Sequence, residues 1–218
     1  KGLTGNQDDD FGAWSALVKG TGLSQKPSGS LGSFGHGSKA PFSLSDIRTV
    51  FYLSHIQLQG RTELRFQGKS ILQSHQLEGV VGRTQGTGYY GWSTDSNCSA
   101  LIDDDVPEWA KRIREDVGDK TGTTILIPCF NLDESELPET AISCISNFYY
   151  AIMKNNLEVD IHGETILDVG NIKDKYFEYK DKLEVEKDYI DHIRIAANFE
   201  SLSSVVEPDY SGIQEVNQ

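Results

Sequence analysis

The chain has 218 residues, 37% of them hydrophobic and 24% charged, so it buries a core and is not disordered throughout. A formal net charge of −13 argues against a broad nucleic-acid surface. No apolar run approaches the roughly 18 residues a membrane-spanning helix needs. Cys98, Cys129 and Cys144 are too few and too scattered for a disulfide framework or a zinc site, which fits a reducing, cytoplasmic setting.

The elements read as follows in chain order. "DDDFGAWSALVKG" is a short helix with Phe11, Trp14 and Leu17 or Val18 on one face, and Asp8 to Asp10 at its positive end. "GTGLSQKPSGSLGSFG" is a Gly/Ser-rich loop, and a short helix starts near Gly37. "IRTVFYLSHI" and "RTELRFQG" are two antiparallel strands around "QLQG". A loop-rich stretch centred on "QGTGYYGW" comes next. "DVPEWAKRIRED" is a helix with Asp105 as N-cap and Pro107 in its first turn. "GTTILIPCF" reads as a buried strand. "PETAISCISNFYYAIMKNN" is the strongest helix, with a stripe of Ile142, Ile145, Phe148 or Tyr149, and Ile152, and a stop at Asn155-Asn156. "LEVDIHGETIL" alternates and turns at His162-Gly163. Beyond Asn171 the chain is charge-rich with a helical pattern, and its last residues look frayed.

The glycine-rich stretch Gly29–Phe42 carries the most chemistry. A P-loop requires Gly-Lys-Ser/Thr, whereas the order here is Gly37-Ser38-Lys39. Gly35-x-Gly37-x-x-Ala40 fits the variant dinucleotide fingerprint, and Gly86-x-Gly88-x-x-Gly91 fits the full one. Neither follows a strand directly, so the second reads as a tight turn. Near Gly35 and Gly37 a backbone can approach a ligand closely, and a helix start with Lys39 in its first turn favours an anion. A flexible loop with a solvated lysine is the plainer alternative.

Other candidates are weaker. His55 and His75 have no metal-ligand spacing. "IDDDVPE" reads as a solvated helix cap, with a magnesium site as the alternative. No Gly-x-Ser-x-Gly elbow supports a serine triad. "KDKYFEYKDKLEVEKD" is a solvated helix face or a partner-binding helix.

Three motifs in order resemble the GHKL, or Bergerat-fold, ATPases, which include the ninety-kilodalton heat-shock chaperones, DNA gyrase B, MutL and the MORC proteins. Gly22, Ser24 and Lys26 occupy the lid position. Gly32-Ser33-Phe34-Gly35-His36-Gly37-Ser38-Lys39-Ala40 matches the family's glycine motif. Gly122-Thr123-Thr124-Ile125 matches its late core strand. The resemblance covers about residues 1–130 and extends less clearly through "ISNFYYAIMKNNLEVDIHGETI". It is nearer to the MORC- and MutL-like members than to the chaperones, and a sensor histidine kinase fits less well.

The resemblance implies a two-layer α/β sandwich with a mixed, mainly antiparallel sheet over residues 1–168, followed by a charged helical extension over 169–218. It implies that ATP and Mg²⁺ bind with the backbone of Gly35, His36, Gly37 and Ser38 on the phosphates, Lys39 as a point charge, and Gly32 and Phe34 shaping the loop. Ser24 and Lys26 would belong to the lid, Thr123 would sit below the adenine, and Gly2 would be the last glycine of a D-x-G-x-G motif. The family's catalytic glutamate, magnesium-holding asparagine and adenine-recognising aspartate would then precede Lys1. Met153 is the only methionine, and a start at Lys1-Gly2 fits a segment lying upstream. The implied activity is an ATPase switch, with lid closure and homodimerisation driven by nucleotide. DNA transactions or genome defence, or other chains of a complex, are its implied context. The alternative is a non-hydrolysing scaffold of the same fold.

Overall fold

The computed structural model describes residues 2–5, 12–20, 36–58, 60–79, 81–94, 97–131 and 137–179. The chain divides into two compact units, Lys1–Leu132 and Asp133–Gln218. Among the described residues no helix is long and apolar enough to cross a membrane.

Unit one is built on β1 (Thr49–Leu58) and β2 (Arg61–Ile71), an antiparallel pair in register from Thr49↔Ser70 to Leu58↔Arg61. Gly60, at φ +82°, supplies the left-handed residue of the turn that "QLQG" predicts. The other edge of β2 is shared by β3 (Thr87–Tyr90) and, through Leu101 and Ile102, by β6. Between those two, β4 (Trp92–Ser93) and β5 (Cys98–Ser99) form a separate small ladder. The stretch read as loop-rich is therefore partly strand. The outer strand beside β1 is β7 (Gly122–Leu126), giving the order β3-β2-β1-β7. Every pairing described is antiparallel. The "GTTIL" segment was expected to be buried, but it lies at an edge with Ile125 exposed.

Period-two alternation puts Val50, Tyr52, Ser54 and Ile56 on one face of β1, and Phe51, Leu53 and His55 on the other. Both faces are covered. On the first, Trp14 and Val18 from the turn around Ser15–Lys19 pack with Val50, Tyr52 and Ala100. That turn is π-helical, closed by the Gly20 N–H on the Ser15 carbonyl at 2.6 Å. Its wider winding buries Val18 and leaves Leu17 only partly covered. Phe42 joins the same cluster from α1 (Ala40–Ser43).

On the second face Leu53 and Phe66 pack with Val106 and with Ala110 of α2 (Glu108–Arg112). Phe51 stacks on Phe66 at 5.5 Å, and Trp109 meets both rings edge-on. Asp105 is not the N-cap of this helix, since the helix starts three residues later behind Pro107, with no side-chain cap. Asp103–Asp105 instead form a 3₁₀ turn, and the Asp103 carboxylate accepts the Leu64 N–H at 2.8 Å.

Unit two joins α3 (Leu137–Met153), the hairpin of β8 (Val159–Ile161) and β9 (Thr165–Leu167), and α4 (Ile172–Tyr179). The expected stripe forms its core through Ile145, Tyr149 and Ile152, with Ile142 packed against it. Tyr149 takes the inward position and Phe148 faces solvent. Asn155, at φ +56°, ends the helix, and His162 and Gly163 turn the hairpin with positive φ. Leu167, Ile172 and Tyr176 complete the same core, so residues on both sides of the sequence-derived boundary at 168/169 pack together. The Asp168–Asn171 pair closes the entry to α4, each side chain accepting the other's backbone N–H at 3.0 Å.

Trp14 is the largest side chain of the first-face cluster and is fully buried. Trp14→Ala is expected to cost roughly 3–5 kcal/mol in urea unfolding of the chain, the range for emptying an aromatic core position.

Candidate functional site

Gly2 approaches β1 so closely that only glycine fits. Its φ is +68°, and an added Cβ would lie 2.5 Å from the His55 carbonyl oxygen and 2.8 Å from Ile56 Cγ2. The next residue fixes the contact, with the Leu3 N–H donating to Ser54 Oγ at 2.7 Å. Ser54 Oγ also lies 2.9 Å from Thr123 Oγ1 and 3.4 Å from the Gly122 carbonyl. A single buried hydroxyl thus ties the N-terminal segment to the Gly122-Thr123 segment across β1.

The described end of the glycine motif, from His36 onward, leads into a helix that reaches the same sheet face. His36–Ser38 form a 3₁₀ turn, and α1 follows behind Lys39 with Pro41 in its first turn. Phe42 anchors α1 in the cluster against which Leu3 also packs. Among the described residues nothing lies within 4 Å of a Cβ added at Gly37, and Lys39 is exposed. The helix behind it has only four residues, however, so its dipole is a small contribution. Ser24, Lys26, Gly32, Phe34 and Gly35 lie outside the described residues.

Of the remaining expected residues, the structure links Thr123 through Ser54 to Leu3, the neighbour of Gly2, and brings Phe42 of the segment after Lys39 onto the same packing cluster as Leu3. Among the described residues no three His, Cys, Asp or Glu side chains gather to hold a metal ion.

The sequence reading missed the polar side chains of β2 that face the first-face cluster. Arg65, Gln67 and Lys69 alternate along the strand and are all buried. Arg65 donates from Nε to Glu63 at 2.5 Å and from Nη1 to the Gly5 carbonyl at 2.6 Å, with its guanidinium 5.9 Å from the centre of the Trp14 ring. Gln67 donates from Nε2 to the Cys98 carbonyl at 2.8 Å. Lys69 Nζ sits 5.7 Å from the centre of the Tyr89 ring, and burial pushes its amine below the usual lysine range. Tyr52, opposite Gln67, is fully buried. Burial, with a smaller effect from neighbouring Tyr89, pushes its phenol up to about 12. Tyr52 Oη, Gln67 Oε1 and Trp14 Nε1 have no hydrogen-bond partner among the described residues.

The second glycine string is not a nucleotide loop in form. Gly88 lies within β3, and Gly91 sits where a Cβ would collide with the Ser99 carbonyl of β5. Comparison with protein-family models, curated proteins and solved structures finds no match for this chain.

Gly2→Ala is expected to release the N-terminal segment. Left-handed backbone strain alone costs about 1–2 kcal/mol, and the clash with β1 adds to it. The readout is faster hydrogen exchange at the Leu3 amide together with a lower melting temperature.

Tyr52 yields a second test. Its folded pKa stands above the unfolded value of about 10, so its contribution is intact below pH 10 and is lost as pH rises towards 12. Tyr52→Phe is expected to be at least as stable as the parent at pH 7, because an unpaired buried hydroxyl is removed. It should also abolish roughly 2–3 kcal/mol of the alkaline loss seen in denaturant unfolding between pH 10 and 12.

Proposed function

We propose that unit one is the nucleotide-binding part of a GHKL-type ATPase switch. The observation that carries this reading is the Leu3–Ser54–Thr123 hydrogen-bond junction. Two segments far apart in sequence, each matching a motif that borders the nucleotide in that family, meet on one face of the sheet. The segment following the glycine motif packs into the cluster that covers the same face. In this reading the fold is the two-layer sandwich of the family. ATP brings a triphosphate that the open backbone at Gly37 accommodates, with Mg²⁺ arriving on the nucleotide. His36, Gly37 and Ser38 supply backbone N–H groups, Lys39 supplies charge, and Thr123 lies beneath the base. Hydrolysis, the lid of Ser24 and Lys26, a homodimer and a cytoplasmic role in DNA transactions or genome defence extend the same proposal by family analogy.

A second reading is a binding module that keeps the fold without turnover. The four-residue α1 favours it, because one helical turn gives little anion stabilisation of its own.

Calorimetric titration of the full-length protein with Mg-ATP tests the proposal. Binding is expected in the parent and is expected to fall at least about tenfold in Gly37→Val, whose Cβ meets nothing within 4 Å among the described residues and whose branches occupy the approach to the backbone. Binding with no phosphate release selects the non-hydrolysing module. Absence of Mg-ATP binding, or equal binding in Gly37→Val, overturns the nucleotide reading.

A further inference from the structure

The second face of unit one carries a group of rings that is only partly covered. Phe51 and Phe66 lie parallel, with 5.5 Å between centroids and 8° between planes. Tyr90, at the end of β3, and Trp109, in α2, each stand across both of them. Tyr90 meets Phe51 at 81° and Phe66 at 73°, both at 6.0 Å. Trp109 meets the same two rings at 80° and 86°, at 5.6 and 5.3 Å. Phe66 is buried, yet Tyr90 is 48% and Trp109 46% exposed.

Two large rings half in solvent and held from behind by two others form a prepared surface. Pairing of β3 with Gly68 of β2 sets Tyr90, and α2, whose Ala110 is in the core, sets Trp109. Their orientation is fixed before a partner arrives, so docking on them costs little side-chain entropy. Tyr and Trp are also the residues that most often anchor protein interfaces. Among the described residues no cation stacks over either ring.

The charge beside the rings selects the partner. Residues 103–112, which include Trp109, hold the carboxylates of Asp103, Asp104, Asp105 and Glu108 against Lys111 and Arg112. Glu108 is paired with Lys111 at 2.9 Å, and Asp103 accepts the Leu64 N–H. Asp104 and Asp105 are exposed and have no ion pair among the described residues. A guanidinium answers both features, because it stacks flat on an aromatic ring and pairs with carboxylates through its planar fork. An ammonium has no flat face to stack, and an apolar side chain leaves the carboxylates without a partner. The net charge of −13 attracts a basic partner over a longer range.

We propose that this ring face docks a basic, arginine-bearing segment of a partner protein, with a guanidinium stacked on Trp109, a second contact on Tyr90, and Asp104 and Asp105 as counter-charges. The inference goes beyond the nucleotide reading and uses none of its residues.

The test is an amide chemical-shift titration of the full-length protein with the capped peptide Gly-Arg-Gly-Arg-Gly, beside the same peptide with lysine or leucine in place of arginine. Saturable shifts at Tyr90 and over residues 103–112 are expected with the arginine peptide, and binding at least about threefold weaker with the other two. Trp109→Leu keeps an apolar side chain on α2 and is expected to weaken arginine-peptide binding at least about threefold. Asp104→Asn combined with Asp105→Asn alters exposed groups alone, and should weaken binding about twofold or more and reduce its salt dependence. That double variant decides the proposal if Trp109→Leu does not fold. Shifts that fail to saturate with the arginine peptide, a lysine or leucine peptide that binds as tightly, or affinity unchanged in the variants that fold, overturn the proposal.

Discussion

The antiparallel ladder of β1 and β2 is covered on both faces, and most of unit one follows from that constraint. One exposed face would let every second residue be polar at no cost. Here the first face must accept Arg65, Gln67 and Lys69 beside Val50, Tyr52 and Trp14. Each polar group then needs a partner from the backbone that covers it, or goes without. Arg65 takes the Gly5 carbonyl and so fixes the N-terminal segment, while Gln67 takes the Cys98 carbonyl and so fixes β5. Ser54 does the same in the reverse sense, accepting from Leu3 and facing Thr123. The irregular segments owe their positions to interior hydrogen bonds as much as to apolar contact.

The second face is organised by rings. Gly68 leaves the space that Phe51 fills, since an added Cβ would come within 2.7 Å of that ring. Phe51 can then stack on Phe66 and receive Trp109 and Tyr90 edge-on. Arg114, also buried, closes this side by donating to Thr124 Oγ1 at 3.0 Å and to the Lys120 carbonyl at 2.7 Å. The strand that carries Thr123 is therefore gripped from both faces, by Ser54 through Thr123 and by Arg114 through Thr124.

Periodicity made the long elements legible. The hairpin around Gly60, the stripe of α3 and the turn at His162-Gly163 stand where apolar spacing and turn chemistry put them. What escaped was the burial of polar side chains. Arg65, Gln67 and Lys69 alternate with Phe66 and Leu64, a pattern that ordinarily marks a strand with one solvated face. The contrary signal was in the partner strand, where Val50, Tyr52 and Ile56 occupy the paired face and are too apolar for water. Reading the strands as a register pair, instead of one at a time, exposes the conflict. Asp105 falls in the 3₁₀ turn Asp103–Asp105, and Pro107 holds the position before the helix, a placement that local spacing does not reveal. At the candidate site, the glycine motif and Thr123 were visible as motifs. Ser54, which joins Thr123 to Leu3, was not, because a lone serine in a strand carries no pattern.

The position of β7 has a consequence for how copies of this chain behave at high concentration. As the outer strand it leaves one row of peptide groups without a neighbour in the described sheet, and Ile125 adds an exposed apolar side chain beside that row. Such a border is a template for strand addition by another polypeptide. Its five residues offer a short ladder, and Pro128, two residues beyond its end, has no N–H with which to lengthen it. The border is thus kept brief by the same "GTTILIP" segment that carries Thr123, which limits how far another strand can add there.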